Sequence, residues 1–106
     1  MSASRERLPN RRFSEAVSFE LNGIQYRAQL SRFADGRCAE IFIDGPKAGS
    51  AASIAVHDAG IAASLAFQCG APVETLQHAL LKLENEEPAS PLGRALQLLL
   101  EDSATA

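Results

Sequence analysis

The segment Asp44-Gly-Pro-Lys-Ala-Gly-Ser50 contains residue types that can bind an anion. Its glycines allow the backbone to approach a ligand closely, and Lys47 adds a positive charge. A helix that begins at Ser50 would point its first N–H groups at the same place. Arg37 is a second candidate cation. We therefore predict an anion site at Lys47, Gly49, Ser50 and Arg37.

The same segment also has a purely structural interpretation. Its spacing differs from the P-loop pattern G-x-x-x-x-G-K-[ST], so it is not the common nucleotide-binding motif. Glycines are frequent in turns between a strand and a helix, and serine is a preferred helix N-cap. A turn capped by Ser50, with no ligand, remains the alternative.

Four side chains can act as soft metal ligands or nucleophiles: Cys38, Cys69, His57 and His78. They lack the C-x₂-C or H-x₃-H spacing of structural zinc sites, so no metal and no cofactor is predicted. Cys69 falls at the end of a predicted helix, where the helix dipole disfavours a thiolate. We predict no catalytic residues. The alternative is a small thiol-dependent or hydrolytic enzyme that uses Cys38 or Cys69 with a histidine.

His57 and Asp58 are adjacent, and neighbouring positions on a helix point about 100° apart, so they do not form a His–Asp couple. Asp58 lies in an otherwise apolar helical segment and must reach solvent or find a partner. We predict a structural ion pair with Arg27 or Arg37.

The 106 residues are 46% hydrophobic and 22% charged, which is typical of one globular domain. Four arginines within the first twelve residues leave the rest of the chain acidic, although the net charge is only −3. We predict a disordered basic N-terminal arm over residues 1–13. The acidic body argues against nucleic-acid binding by the domain, and an arm that contacts nucleic acid through Arg5 to Arg12 is kept as an alternative.

No apolar run is long enough to span a bilayer, and the first residues lack the apolar core of a secretory signal. The two cysteines do not form the framework of a secreted disulfide-rich domain. We therefore expect a cytoplasmic protein without membrane contact.

Three strands are predicted between residues 14 and 43. Apolar residues alternate with polar ones over 16–21, 24–31 and 37–43, which is the period of a half-buried strand. Asn22-Gly23 between the first two predicts a two-residue hairpin. A meander with one apolar face follows, and other elements must cover that face.

Three helices are predicted after the strands. The segment 50–68 is rich in alanine and has two apolar stripes, so we expect a central helix packed on the sheet and on other helices. Gly60 within it indicates close approach of another backbone. Pro72 opens a second helix, and Ser90-Pro91 opens a third that runs to Leu100. The buried stripe of the second helix is predicted to contain Leu76, Leu80 and Leu83.

The element order β-β-β-α-α-α predicts an α+β fold, with three helices packed on one face of a three-stranded antiparallel meander. Residues 14–100 form the domain, and 101–106 form a frayed tail. A three-stranded sheet leaves two open edges, so a homodimer through a sheet edge is one expectation.

Several of these segments resemble the TSCPD domain. The similarity is carried by Tyr26 to Ile43 with its Asp-Gly turn and its Glu-Ile-Phe-Ile strand end, by Lys47-Ala-Gly49 before an alanine-rich helix, and by Gly70-Ala-Pro-Val-Glu-Thr-Leu76. That domain forms the C-terminal part of adenosylcobalamin-dependent (class II) ribonucleotide reductases and also occurs as short bacterial proteins.

The Thr-Ser-Cys-Pro-Asp run that names the domain is missing here, since the chain ends Leu100-Glu-Asp-Ser-Ala-Thr-Ala. Any cysteine chemistry of that run is therefore not carried over. The resemblance implies a non-catalytic accessory module related to the reductase, which binds a partner protein or a small anionic ligand such as a nucleotide.

Overall fold

The computed structural model describes residues 4–8 and 14–105. Its elements, in chain order, are β1 (Ser14–Leu21), β2 (Ile24–Arg32), β3 (Cys38–Asp44), α1 (Ala51–Gln68), α2 (Val73–Ala79) and α3 (Pro91–Thr105). The strands form one antiparallel sheet in the order β1-β2-β3, and the helices follow. The predicted α+β fold is confirmed.

The first hairpin forms where the Asn-Gly signal placed it. Asn22 and Gly23 both have positive φ, 53° and 79°, and Leu21 pairs with Ile24 across the turn. Two positive φ values suit the twist of the flanking strands, and few residue pairs other than Asn-Gly adopt them cheaply. The turn fixes the register, and the register directs Phe19 and Tyr26 to the inner face of the sheet.

The core lies between the inner face of the sheet and the helices α1 and α3. The largest fully buried side chains come from all three of these parts of the molecule: Phe67, Leu30, Ile41, Ile43, Leu96 and Leu99. Leu92 and Ala95 extend the buried stripe of α3. Burial of this apolar surface is the main stabilising contribution to the fold.

Helix α1 lies along the free edge of β3 and closes it. The Ser64 Oγ accepts a hydrogen bond from the Ile41 N–H at 2.9 Å and lies within hydrogen-bond distance of the Ile41 and Gly60 carbonyl oxygens. The Gln68 Nε2 donates to the Ala39 carbonyl at 3.0 Å. At Gly60 the contact is so close that a Cβ atom would stand 3.0 Å from the Ile41 carbonyl oxygen. The predicted close approach of a backbone to Gly60 is therefore confirmed.

Helix α1 packs on the sheet and on α3 as predicted, but only one of its two apolar stripes is buried. Its inner face is buried through Val56, Ala63 and Phe67. The other predicted stripe faces outward, with Ile54 at 54%, Ile61 at 51% and Leu65 at 41% exposure. The physical reason is that the β3 edge requires polar partners, and α1 supplies them from the side opposite this stripe.

The second and third helices differ from their predicted limits. Helix α2 ends at Ala79, so Leu80 follows the helix and Leu83 is 53% exposed. Leu76 and Leu80 do pack against the core, but Leu83 does not, because the chain turns away after Leu80. Helix α3 starts at Pro91 as predicted and continues past Leu100 to Thr105.

Residues 4–8 lie against the domain. The Glu6 N–H donates to the Gln68 carbonyl at 2.8 Å, Arg5 donates to the Gln68 side chain, and the Glu6 carboxylate pairs with Arg37 at 2.8 Å. The rest of the predicted disordered arm, residues 1–3 and 9–13, lies outside the described residues. Over the part of the chain that is described, no helix is long and apolar enough to cross a membrane.

Candidate functional site

The loop between β3 and α1 holds three of the four predicted anion-site residues. Ser50 is the N-cap of α1, and its Oγ accepts from the Ser53 N–H at 3.1 Å. The Ser50 N–H in turn donates to the Lys47 carbonyl at 3.1 Å. Gly49 has φ 84°, a conformation that glycine adopts without strain. The loop therefore holds Lys47, Gly49 and Ser50 together at the N-terminus of α1.

A glycine is also required at the start of this loop. A Cβ atom on Gly45 would stand 2.3 Å from the Cδ1 atom of Tyr26. The loop backbone thus packs on the Tyr26 ring, which is itself stacked on Phe19 with 5.5 Å between ring centroids. The aromatic pair supports the loop from the core side.

The structure does not bring Arg37 to this loop. Arg37 lies before β3, and Lys47 lies after it, so the seven residues of the strand separate them by roughly 20 Å. Arg37 instead pairs with Asp35 at 2.7 Å and stacks 4.6 Å above the Phe33 ring centroid. The structure therefore does not support Arg37 as part of the anion site, because the loops at the two ends of one strand lie at opposite ends of the sheet.

The charge around the loop is mixed. The His57 Nε2 lies 2.9 Å from the Asp44 Oδ1, and both side chains are at least half exposed. The sequence analysis did not identify this pair, because the partner of His57 lies thirteen positions earlier, at the end of a strand. The Asp44 carboxylate weakens the attraction of an anion to the loop, whereas the positive charge of Lys47 strengthens that attraction. Anion binding at Lys47, Gly49 and Ser50 stays a prediction.

A cavity of about 420 Å³ lies at the opposite end of the sheet, between the β2–β3 turn and the start of α2. Both arginines of its lining are already paired: Arg32 with Glu15 at 2.9 Å, and Arg37 with Asp35 and Glu6. Glu74 adds a further negative charge to the lining. The pKa of Asp35 is lowered by its hydrogen bonds from the Arg37 backbone and side chain. The cavity thus offers little free positive charge to an anion.

Cys38 lines this cavity as a buried thiol. Burial raises the pKa of Cys38, and the nearby Arg32, which lies 3.9 Å from the sulfur, opposes that rise only in part. Cys69 is exposed at the C-cap of α1. In the described part of the chain, neither thiol makes a hydrogen bond to a histidine. The geometry therefore does not favour a thiol-dependent enzyme.

Asp58 lacks the ion pair predicted for it. It is exposed on the outward side of α1 and has no charged partner among the described residues. Arg27 lies on β2 and Arg37 lies in the turn before β3, and α1 packs against the sheet with its other side. The surface that contains Asp58 is named here the α1 outer face, and its members are Ala51, Ile54, Ala55, Asp58, Ile61, Ala62 and Leu65.

An apolar groove of about 340 Å³ adjoins the α1 outer face. Ala55 belongs to both, and Ala59 continues the wall of the groove along the helix. The opposite wall is formed by Leu80, Leu81 and Leu92. Leu81 is 80% exposed at this groove. This surface was not predicted from the sequence. The signal for it is an alanine-rich helix that has two apolar stripes and a single aspartate, which indicates that one stripe has no partner within the chain.

No group of three or more histidine, cysteine, aspartate or glutamate side chains lies close enough to hold a metal ion within residues 4–8 and 14–105.

Comparison with known proteins places the chain beside part of a much larger enzyme. It is 39% identical over 74 residues to the vitamin B12-dependent ribonucleotide reductase of Agrobacterium fabrum, a match that covers 70% of this chain and 6% of that protein. The proteins of the same name from Bradyrhizobium diazoefficiens and Rhodopirellula baltica are 33% and 36% identical over 83% and 68% of this chain, and 7% of each is covered. No protein-family model and no solved structure matches. The chain is therefore related to a short segment of these reductases and spans less than a tenth of their length.

Proposed function

We propose that this chain is a TSCPD-type accessory module that binds a vitamin B12-dependent ribonucleotide reductase and does not itself catalyse a reaction. The observation that carries the proposal is the size relation: 68–83% of this chain matches only 6–7% of each reductase. A segment so small relative to the enzyme contributes one domain to it. A chain related to that domain is suited to occupy or modify the same contacts.

The chemistry of the described residues supports a binding role. The two thiols make no hydrogen bond to a histidine in this part of the chain, and both arginines at the larger cavity are held in ion pairs. The α1 outer face exposes Ile54, Ile61 and Leu65, and exposed apolar surfaces mark protein contacts.

Direct binding to the reductase of the same organism tests the proposal. The purified chain is immobilised, the reductase is titrated over it by biolayer interferometry, and the turnover of the reductase is measured with and without the chain. We expect saturable binding and a change in reductase turnover. No binding up to roughly millimolar reductase would contradict the proposal.

A small anion is the second ligand that we propose for this module, at Lys47, Gly49 and Ser50. The support is local: a cation, a glycine with positive φ and a capped helix N-terminus adjoin one another. Titration with a nucleotide or with inorganic phosphate should shift the amide signals of Gly45 to Ser53 in an NMR spectrum. Lys47→Ala should abolish these shifts, and Arg37→Ala should leave them unchanged. The absence of shifts at millimolar ligand would remove this part of the proposal.

A further inference from the structure

The α1 outer face is an apolar surface with one charge at its centre. Ile54, Asp58, Ile61 and Leu65 follow the i, i+4, i+7, i+11 spacing, so they share one side of the helix. Ile54, Ile61 and Leu65 are 54%, 51% and 41% exposed. Three such residues in line on a single helix form a contiguous patch, unlike the scattered apolar residues that any surface carries.

The small residues of this surface allow a second helix to come close. Ala51, Ala55 and Ala62 flank the isoleucines and are exposed. Alanine side chains do not project far from the helix, and the groove beside Ala55 and Ala59 offers about 340 Å³ to the side chains of a partner. An apolar groove beside a helix is the usual site for an amphipathic helix with anchors one turn apart.

Asp58 decides what kind of partner fits. It lies between Ile54 and Ile61 along the helix and makes no ion pair within the described residues. A partner that covers the face would take this carboxylate out of water, which is costly unless a cation meets it. The occupant must therefore carry a lysine or arginine among its apolar residues.

A second copy of this chain does not meet that requirement. Two copies related by a two-fold axis would meet through the same surface, and an antiparallel contact centred on the face would bring the two Asp58 carboxylates together. Like charges without a counter-ion oppose such a contact. Charge complementarity therefore favours a different protein over self-association.

We propose that the α1 outer face and its groove are the docking surface for a helix of the vitamin B12-dependent reductase, with a lysine or arginine of that helix paired with Asp58. This inference rests on the proposed function and adds the surface and the chemistry of the contact. The reductases have more than nine-tenths of their length outside the segment related to this chain, and we expect the helix to lie there.

The test compares two variants of the face with two matched controls, all as full-length chains. Ile61→Glu places a charge in the apolar patch, and Asp58→Arg reverses the central charge. Ile24→Glu is the apolar control, because Ile24 is 39% exposed and lies on β2 beside the first hairpin. Glu20→Arg is the charge control, since Glu20 is exposed on β1. Circular dichroism and melting temperature establish that each variant is folded, and Leu65→Gln replaces Ile61→Glu if the latter is not.

We expect Ile61→Glu and Asp58→Arg each to weaken reductase binding by roughly tenfold or more, and both controls to stay within about twofold of the unchanged chain. The affinity of the unchanged chain should fall with added salt, and Asp58→Arg should lose that dependence.

Three other results are informative. If the unchanged chain binds and all four variants bind equally well, the docking surface is wrong while the proposed function stands. If the unchanged chain does not bind, the proposed function fails and this inference fails with it. If sedimentation shows a dimer of this chain that Ile61→Glu dissociates, the face belongs to a second copy and the inference is overturned.

Discussion

Gly60 is the residue on which the contact between α1 and β3 depends most directly. Its Cα faces the Ile41 carbonyl so closely that any side chain must displace one backbone or the other. The same carbonyl lies 3.1 Å from the Ser64 Oγ, so a displacement there would disturb the closed edge of β3 as well.

We expect Gly60→Ala to lower the free energy of unfolding by about 0–2 kcal/mol. Alanine gains about 1 kcal/mol in helix propensity, but crowding of a packed backbone costs about 1–3 kcal/mol. Urea unfolding followed by circular dichroism measures the difference. Ala62→Gly on the exposed side serves as the control and should cost only the ordinary propensity of about 1 kcal/mol. A Gly60→Ala variant that is more stable than the unchanged chain would show that the contact is looser than described.

The two thiols should differ sharply in reactivity. Cys69 is exposed and should react with a thiol reagent at once at neutral pH, whereas Cys38 should react only after denaturation. Mass spectrometry of the labelled chain counts the modified thiols, and Cys69→Ser should abolish the rapid phase. Rapid labelling of both thiols in the folded chain would contradict the burial of Cys38 and would revive the thiol-enzyme alternative.

Stability should also depend on pH through Cys38. Because burial raises its pKa in the folded chain, the neutral thiol is the favoured form there. Its contribution to stability is complete below the ordinary pKa of 9.0 and is lost as the pH rises through the higher folded value. Chemical denaturation between pH 8 and pH 11 should show a steeper decline in stability for the unchanged chain than for Cys38→Ala, and equal declines would contradict a contribution of Cys38.

At the scale of elements, the link between α1 and β3 is polar and buried. Ser64 and Gln68 are 6% and 4% exposed, and both bond to the backbone of β3. Buried backbone groups at a strand edge are costly without partners, so these two side chains set the rotation of α1 about its own axis.

Ser64→Ala should lower the free energy of unfolding by about 1–3 kcal/mol, because the buried Ile41 N–H would lose its partner. Thermal and urea unfolding both measure this change. Ser18→Ala, on the exposed side of β1, is the matched control and should stay within about 0.5 kcal/mol of the unchanged chain. Equal stability of the two variants would indicate that water replaces the Ser64 hydroxyl at the strand edge.

These polar contacts also explain which features of α1 could be predicted from the sequence and which could not. Its position and length followed from Ser50, the alanine run and Gly70, all of which are local signals. The side of α1 that faces outward could not be predicted in this way. That side contains Ile54, Ile61 and Leu65 and is more apolar than the inner side, which contains Ser53, Ser64 and Gln68. Hydrophobic periodicity assumes that the most apolar side is buried, and here the needs of the β3 backbone decided otherwise. For the same reason the α1 outer face could be found only with the fold in hand.

At the scale of the whole molecule, the sequence predicted the order of elements, the antiparallel pairing and the layer of helices, because each depends on short-range patterns and turn residues. It placed Arg37 beside Lys47 wrongly, because the distance between two loops depends on which ends of the strands they join. The sequence also predicted an ion pair between Asp58 and Arg27 or Arg37, which the orientation of α1 rules out.

A dimer formed by extension of the sheet should use β1 and not β3. Within the described sheet, β1 has one strand neighbour, β2, whereas the free edge of β3 is bonded to α1. Sedimentation velocity should show any such dimer dissociated by Ser18→Pro, because proline cannot continue a strand ladder. Ser18→Ala is the control. Survival of the dimer in the proline variant would move its interface away from β1.

The closed edge of β3 has a consequence for assembly in a crowded cell. Fibre growth by strand addition needs a donor edge and an acceptor edge on every copy, so that each added molecule presents a fresh end. A molecule with only one such edge can join one neighbour, and the pair then has no edge left. Because Ser64 and Gln68 occupy backbone groups of β3 at Ile41 and Ala39, we expect strand-to-strand growth to stop at two copies.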